Sequence, residues 1–188
     1  MQKLSANLTR SHMDNAQDAM TDSKQILSVS PPKTWLWLIF AIALIVDQVS
    51  KYASLAYAQS LENGQISLLP FLDFNLTWNR GISYGLFAAN SSLGQWLLVG
   101  ITSAICLLFV FFLRGERDKF IRIGFVLVIS GAVGNIIDRV LHGAVIDFVS
   151  LHGFGYYWYI FNIADIWITI GAIFILFANL KALKDERK

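Results

Sequence analysis

The sequence is short of charge, and this shortage excludes an ordinary soluble domain. Of its 188 residues only 15% are charged and 55% are hydrophobic. From Gly81 to Leu113 there is no Lys, Arg, Asp or Glu. That run is longer than the roughly 20 residues that cross a bilayer. The composition therefore predicts an integral membrane protein without a separate soluble domain.

Cysteine and histidine are also scarce, which excludes several kinds of site. The single cysteine, Cys106, lies within an apolar run and has no partner for a disulfide in the chain, so we interpret it as buried filler. The three histidines accompany neither an H-E-x-x-H nor a C-x-x-C pattern, so we expect no metal and no other cofactor. A net charge of +2 gives no electrostatic footprint for nucleic acid.

The chain divides into a polar tail and one membrane domain. Residues 1–32 are rich in Ser, Asp, Gln and Asn and end in two prolines, which is typical of a disordered tail. Residues 33–188 are predicted to form a single integral membrane domain. It contains four apolar segments of the length that a transmembrane helix needs. These segments are Thr34–Tyr57, Gly94–Leu113, Phe120–Leu141 and Tyr159–Leu180.

The distribution of Lys and Arg predicts the orientation of these helices. Cations collect in the tail, between the second and third helices, and at the C-terminus. Residues 58–93 hold only Arg80, and residues 142–158 hold none. The positive-inside rule then places both termini in the cytoplasm and these two connections at the outer face.

The two outer connections have different patterns. Residues 72–79 (LDFNLTWN) alternate apolar and polar side chains, which predicts a half-buried strand. Residues 79–81 resemble a turn and residues 82–87 a returning strand, so we expect a small sheet on the outer face. Residues 142–158 are short and apolar and are expected to stay at the membrane surface, and we interpret Phe148 to Phe154 as an apolar loop that covers a site. The expected fold is a membrane all-α protein with four transmembrane helices, a small extracytoplasmic sheet and this loop.

Polar side chains in three of the helices lie at a similar depth. At 1.5 Å per residue, Asp47 lies roughly 18 Å from Trp35 at the inner interface. Asp138 and Asp165 each lie about 24 Å from the cationic inner ends of their own helices. Asp147 follows the third helix near the same surface. The hydrocarbon core is about 30 Å thick, so these carboxylates collect in the outer part of the membrane.

Two of the carboxylates have cations close by in the sequence. Asp47 and Lys51 are spaced i, i+4 on one helix face and are expected to pair. Asp138 stands directly beside Arg139. We interpret both pairs as neutralised ties between helices.

The other two carboxylates, Asp147 and Asp165, have no Lys or Arg within four residues. An ionisable residue inside a membrane is a functional candidate by default. If the two face each other, repulsion in a low dielectric makes them share one proton. One ionised and one protonated carboxyl is the arrangement with which aspartic proteases activate water and polarise a carbonyl.

Five motifs, in this order and spacing, resemble those of the bacterial lipoprotein signal peptidases, or signal peptidase II. The motifs are DQVSK from Asp47, NRGISYG from Asn79, GNIIDR from Gly134, VIDF from Val145 and FNIAD from Phe161. The resemblance covers about residues 34–180.

This resemblance implies an intramembrane aspartyl peptidase with four helices and an outer β-cradle, in which Asp147 and Asp165 are the catalytic pair. Further motif positions are implied to shape the site and bind substrate. These are Asp47, Lys51, Asn79, Gly81, Asn135, Asp138, Arg139, Asn162 and Ala164.

The resemblance also implies ligands and a location. The implied substrates are prolipoproteins whose cysteine carries diacylglycerol, and the cut falls just before that cysteine. Membrane lipid and globomycin-type inhibitors are the other implied ligands. The implied location is the bacterial inner membrane, with the site toward the periplasm. A monomer suffices, since both aspartates are in one chain.

Three other functions remain open at this point. A proton-coupled transporter also uses membrane carboxylates. A structural subunit would use them only as ties between helices. A Ser/Lys peptidase would use Lys51 as base, with Ser50 or Ser83 as nucleophile.

Overall fold

Four long helices form the framework of the protein. The computed structural model describes residues 34–61, 64–81 and 92–185. The helices are α1 (Thr34–Ala58), α2 (Ser92–Gly115), α3 (Lys119–His142) and α4 (Ile163–Asp185). Within the described ranges, all four are long and apolar enough to cross a membrane, as the sequence predicts. The predicted tail at 1–32 and the predicted return strand at 82–87 lie outside the described residues.

A four-stranded antiparallel sheet lies at one end of these helices, which we name the sheet end. Its strands run in the order β1 (Gln65–Leu69), β2 (Leu72–Asn79), β3 (Val145–Gly153) and β4 (Tyr156–Phe161). β2 has the bounds that the alternation in its sequence predicts. Phe74, Ile146 and Phe148 form a buried cluster that packs against Ala58 at the end of α1 and Ile163 at the start of α4. The sheet is thereby fixed to the helices.

The prediction of an apolar loop around Phe148 to Phe154 is wrong, because residues up to Gly153 belong to β3, which forms a hairpin with β4. Val145 pairs with Asn79, and Leu151 pairs with Leu72. The first part of β3 is buried on both faces, and its sequence lacks the alternation of a half-buried strand because apolar residues surround Asp147 on both sides. Phe154 and Gly155 form the two-residue turn with φ of 54° and 81°. Positive φ at both positions is typical of a two-residue hairpin turn. Gly155 therefore supplies the backbone conformation that this turn requires.

The fourth helix begins at Ile163, four residues later than the sequence predicts. The residues before it belong to β4, where Phe161 pairs with Val149. Asn162 caps the helix: its Oδ1 accepts the Asp165 N–H at 3.1 Å. In return, Asp165 Oδ2 accepts the Asn162 N–H at 3.3 Å. This reciprocal capping box fixes where the strand stops and the helix starts.

Small residues let α3 and α4 approach closely. A methyl group on Gly171 would lie 2.5 Å from the Gly124 carbonyl oxygen, and one on Gly124 would lie 2.7 Å from the Gly171 carbonyl oxygen. Gly131 faces the carbonyl of Ala164 in the same way. Glycine contacts of this kind are typical of packed helices in membranes. They bring the polar positions of α3 beside the first turn of α4.

Candidate active site

A fully buried lysine lies at the centre of the polar cluster. Lys51 has no exposed surface. Its Nζ contacts Asp47 Oδ2 at 3.0 Å and Asp138 Oδ2 at 2.8 Å. It also donates to Asn135 Oδ1 at 3.0 Å. An ammonium group has three N–H donors, so these three acceptors satisfy it completely. The predicted pairing of Asp47 with Lys51 is confirmed.

The same two carboxylates also accept from the backbone of neighbouring elements. Asp47 Oδ1 accepts the Ala164 N–H at 2.8 Å, at the start of α4. Asp138 Oδ2 accepts the Ile146 N–H at 3.2 Å, in β3. The buried ion cluster therefore connects α1 and α3 to the two segments that carry Asp147 and Asp165.

Gln48 is part of this cluster, and sequence reasoning did not single it out. Its Nε2 lies 3.1 Å from Asp47 Oδ2 and 3.2 Å from Asp138 Oδ1. It also lies 3.3 Å from the carbonyl oxygen of Gly134. The sequence does contain a signal for Gln48, because a side-chain amide directly follows an aspartate within a predicted transmembrane helix. Such an amide needs a polar partner inside the membrane.

The predicted pairing of Asp138 with Arg139 is wrong. Neighbouring side chains on a helix do not face each other, and Asp138 pairs with Lys51 across the helix interface. Arg139 Nη2 instead donates to the carbonyl oxygen of Gly81 at 3.3 Å, and its Nη1 lies 3.5 Å from the carbonyl oxygen of Asn135. Arg139 thus holds the end of the β2 segment beside α3.

The open Ser/Lys alternative has no support from the described residues. Lys51 Nζ contacts Asp47, Asp138 and Asn135, and no described serine oxygen is among its partners. Ser50 Oγ donates to the carbonyl oxygen of Asp47 at 2.6 Å. Ser83 lies outside the described residues.

Asp147 lies in β3 and is held by two side-chain amides. Its exposed fraction is only 2%. Oδ2 accepts from Asn79 Nδ2 at 2.9 Å, and Oδ1 accepts from Asn162 Nδ2 at 2.6 Å. Burial raises the pKa of Asp147 to about 7; the Asn79 hydrogen bond opposes this shift, and the nearby charge of Asp165 adds to it. Asp147 is therefore suited to hold a proton near neutral pH.

Asp165 lies in the first turn of α4 and is half-buried. Its Oδ1 accepts from Asn135 Nδ2 at 3.0 Å. It also lines a cavity of about 300 Å³. The other lining residues are Tyr159, Phe161, Ile166, Thr169 and Ile170. Asp165 is thus a carboxyl group at the wall of a largely apolar cavity.

Asn162 connects the two carboxyl groups. It has no exposed surface. Its amide nitrogen donates to Asp147, and its amide oxygen accepts the backbone N–H of Asp165. Among the described residues, neither Asp147 nor Asp165 forms a salt bridge. Neutral amide groups thus position a buried and a half-buried carboxyl group, and no described cation pairs with either.

The structure places the other sequence-predicted positions in contact with this pair or with the ion cluster. Gly81 donates its N–H to Asn79 Oδ1 at 3.0 Å, which positions the amide that binds Asp147. Asn135 contacts both Lys51 and Asp165. All eleven predicted site residues therefore belong to one connected network.

Comparisons with known proteins agree with this architecture. A family model described as signal peptidase (SPase) II matches residues 39–181. A protein of Methylobacterium radiotolerans named lipoprotein signal peptidase is 38% identical over 151 residues, which are 80% of this chain and 87% of that protein. One of the same name from Rhodopseudomonas palustris is 39% identical over 146 residues, covering 76% of this chain and 89% of that protein.

Solved structures are similar as well. A bacterial membrane enzyme solved by the in meso method at 2.3 Å resolution has a TM-score of 0.70 and 33% identity. The match covers 81% of this chain and 91% of that one. A second such enzyme, solved at 1.9 Å resolution, has a TM-score of 0.67 and 35% identity, covering 79% and 94%. With four apolar helices and this match along most of its length, the chain is a multi-pass membrane protein and belongs to the signal peptidase II family.

Proposed function

We propose that this protein is an intramembrane aspartyl endopeptidase that removes signal peptides from diacylglyceryl-modified prolipoproteins. The proposed cut falls just before the lipidated cysteine. The observation that carries the proposal is the arrangement of Asp147 and Asp165. These two carboxyl groups form no salt bridge with any residue that the structure describes, and both are bound by Asn162. The name of the relatives, lipoprotein signal peptidase, supports the substrate class.

The proposed reaction uses the two carboxyl groups in opposite protonation states. Asp165, at the cavity wall, accepts a proton from a water whose oxygen attacks the scissile carbonyl carbon. Asp147, with its raised pKa, donates its proton to the carbonyl oxygen. Collapse of the tetrahedral intermediate breaks the C–N bond: the leaving nitrogen takes the proton from Asp165, and Asp147 takes one back from a hydroxyl group of the intermediate. Such general acid–base catalysis requires pKa values that differ between the two groups.

Three asparagines position the dyad in this proposal. Asn79 and Asn162 hold Asp147, and Asn135 and the Asn162 backbone hold Asp165. A cation at the same positions would favour the ionised form of both carboxyl groups. Neutral donors orient the oxygens and leave one proton free to be shared.

The cavity beside Asp165 suits a substrate that lies in the membrane. Its wall combines aromatic residues of β4 with aliphatic residues of α4, among them Tyr159 and Ile170. We propose that the apolar signal helix lies along this wall, and that the lipidated cysteine and globomycin-type inhibitors bind at the sheet end. With both termini cytoplasmic, the site faces the periplasmic side of the inner membrane. Residues 33–188 then act as a single catalytic domain, as a monomer, preceded by a tail at 1–32.

Cleavage of a defined substrate tests this proposal. Purified protein in detergent is incubated with a prolipoprotein whose cysteine carries diacylglycerol, and with the same prolipoprotein left unmodified. Mass spectrometry of the products locates the cut. We expect cleavage of the modified substrate just before the cysteine. Equal cleavage of both substrates, or a cut elsewhere, contradicts the proposed specificity.

A further inference from the structure

A second cavity, with three cationic residues in its wall, lies at the end of the helix bundle opposite the sheet. It has a volume of about 520 Å³. It lies between the first residues of α1 and those of α3. Its lining residues are Trp35, Ile39, Arg117, Lys119, Arg122 and Ile123. At 1.5 Å per residue, Arg122 lies roughly 24 Å along α3 from Asp138, so this cavity is separate from the site described above.

Arg122 is buried in this cavity, and no described residue gives it an anionic partner. Its exposed fraction is 7%, and its buried Nε has no hydrogen-bond partner within residues 34–61, 64–81 and 92–185. No described carboxylate forms a salt bridge with Arg117, Lys119 or Arg122. A buried cation without a partner is costly, so this arrangement favours a bound anion.

The two nearest carboxylates in sequence, Glu116 and Asp118, both accept backbone N–H groups. Glu116 Oε1 accepts those of Arg117 and Asp118 at 2.6 and 2.7 Å. Asp118 caps α3, where its Oδ1 accepts the N–H groups of Phe120 and Ile121 at 2.7 and 2.9 Å. The negative charge of Asp118 therefore satisfies the helix start. A ligand in the cavity would contact the cationic side chains, because these backbone donors are occupied.

The lining favours a phosphate that is attached to a lipid. A guanidinium group matches phosphate oxygens in a bidentate geometry. Lys119 Nζ lies 5.9 Å from the ring centroid of Trp35, so a second cation and an amphipathic ring lie at the same level. Ile39 and Ile123 add an apolar part to the wall. Basic cavities between transmembrane helices bind anionic headgroups in this way.

We propose that this cavity binds the phosphate of an anionic phospholipid headgroup in the membrane leaflet opposite the sheet end. The proposal is independent of the peptidase activity, because none of its residues belongs to the network around Asp147 and Asp165. The bound phosphate would neutralise Arg122 and join the first turns of α1 and α3.

Native mass spectrometry of the full chain tests the proposal. The protein is titrated in detergent with phosphatidylglycerol, with phosphatidylcholine, and with inorganic phosphate at matched concentrations. We expect one phosphatidylglycerol to bind in clear preference to the other two. Arg122→Gln should weaken that binding about tenfold, because charge-assisted hydrogen bonds to the phosphate are lost. Arg114→Gln, the same change at an exposed position near the same end, should leave it unchanged.

Lys119→Gln provides a second variant in case Arg122→Gln does not fold, since Lys119 is exposed and its replacement leaves the buried packing unchanged. It should weaken phosphatidylglycerol binding in part. Equal binding of phosphatidylcholine would contradict an anionic-lipid site, and equal binding of inorganic phosphate would contradict the lipid source. Unchanged phosphatidylglycerol binding in both folded cavity variants would overturn the site itself.

Discussion

Lys51 Nζ donates to Asn135 Oδ1 across 3.0 Å, and this contact orients the Asn135 amide toward Asp165. An ammonium group has only donors, so Asn135 must present its oxygen to Lys51. Its nitrogen then faces Asp165 Oδ1 at 3.0 Å. The buried ion cluster and the proposed catalytic pair are therefore coupled through one amide.

The first prediction concerns the stability that Lys51 provides. Lys51→Met leaves the buried carboxylates of Asp47 and Asp138 without their cation, which should lower the free energy of unfolding by about 3–5 kcal/mol. Titration with denaturing detergent measures this change. Lys181→Met, at an exposed position of α4, is the control and should have little effect. Adding Asp138→Asn to Lys51→Met should recover part of the loss, and a fully stable single variant would refute the buried cluster.

The second prediction separates the two roles of Asn162. Asn162→Ser keeps an N-cap side chain but removes the amide that binds Asp147, so we expect activity to fall about 100-fold through misorientation of the carboxyl group. Asn162→Ala removes the cap as well and should cost about 1 kcal/mol more in stability. Turnover and thermal unfolding of both variants give these values. Wild-type turnover in Asn162→Ser would show that the amide does not position Asp147.

The third prediction concerns pH. The pKa of Asp147 is raised from 3.8 to about 7 by burial. Between these values the folded protein holds a proton that the unfolded chain releases. The contribution of Asp147 to stability is therefore present at low pH and is lost as the pH rises through about 7. Asp147→Asn lacks this contribution.

Thermal unfolding across this pH range tests whether the contribution of Asp147 to stability falls as the pH rises. The Tm of Asp147→Asn should rise relative to wild type between about pH 4 and pH 7, because only the wild type has a carboxyl at this position that releases a proton on unfolding. A Tm difference that stays constant would mean that Asp147 has an ordinary pKa.

The fourth prediction concerns the contact between α3 and α4. Gly171→Ala places a methyl group 2.5 Å from the Gly124 carbonyl oxygen and 3.0 Å from the Val128 backbone nitrogen. Backbone atoms cannot rotate away, so overpacking should cost about 1–3 kcal/mol. Gly100→Ala, which meets nothing within 4 Å, is the matched control. Equal stability of the two variants would contradict the close approach of the helices.

The sequence predicts those features that depend on local patterns. Apolar runs gave the four helices, alternation gave β2, and the i, i+4 spacing gave the pair of Asp47 and Lys51. These signals lie within one element and need no knowledge of its neighbours.

The features that the sequence did not predict depend on contacts between elements. The first part of β3 is buried on both faces because helices and strands surround it. Its sequence therefore lacks the alternation of a half-buried strand, and the segment was interpreted as a loop. Asp138 pairs with Lys51 of another helix. The sequence instead suggested Arg139 as its partner, because Arg139 is the next residue in the chain. The sequence shows the i, i+3 spacing of Asn162 and Asp165. That this spacing forms a capping box can be recognised only once the end of β4, and so the start of the helix, is known.

The central claim is that Asp147 and Asp165 perform the cleavage, and the most direct measurement compares matched aspartate variants. A diacylglyceryl-modified prolipoprotein is incubated with wild type, Asp147→Asn, Asp165→Asn and Asp185→Asn, and each protein is checked by thermal unfolding. Asp185 is exposed at the end of α4, away from the sheet. We predict that wild type and Asp185→Asn cleave the substrate, whereas the other two variants fold but do not cleave. Near-normal cleavage by folded Asp147→Asn or Asp165→Asn would contradict the aspartyl mechanism.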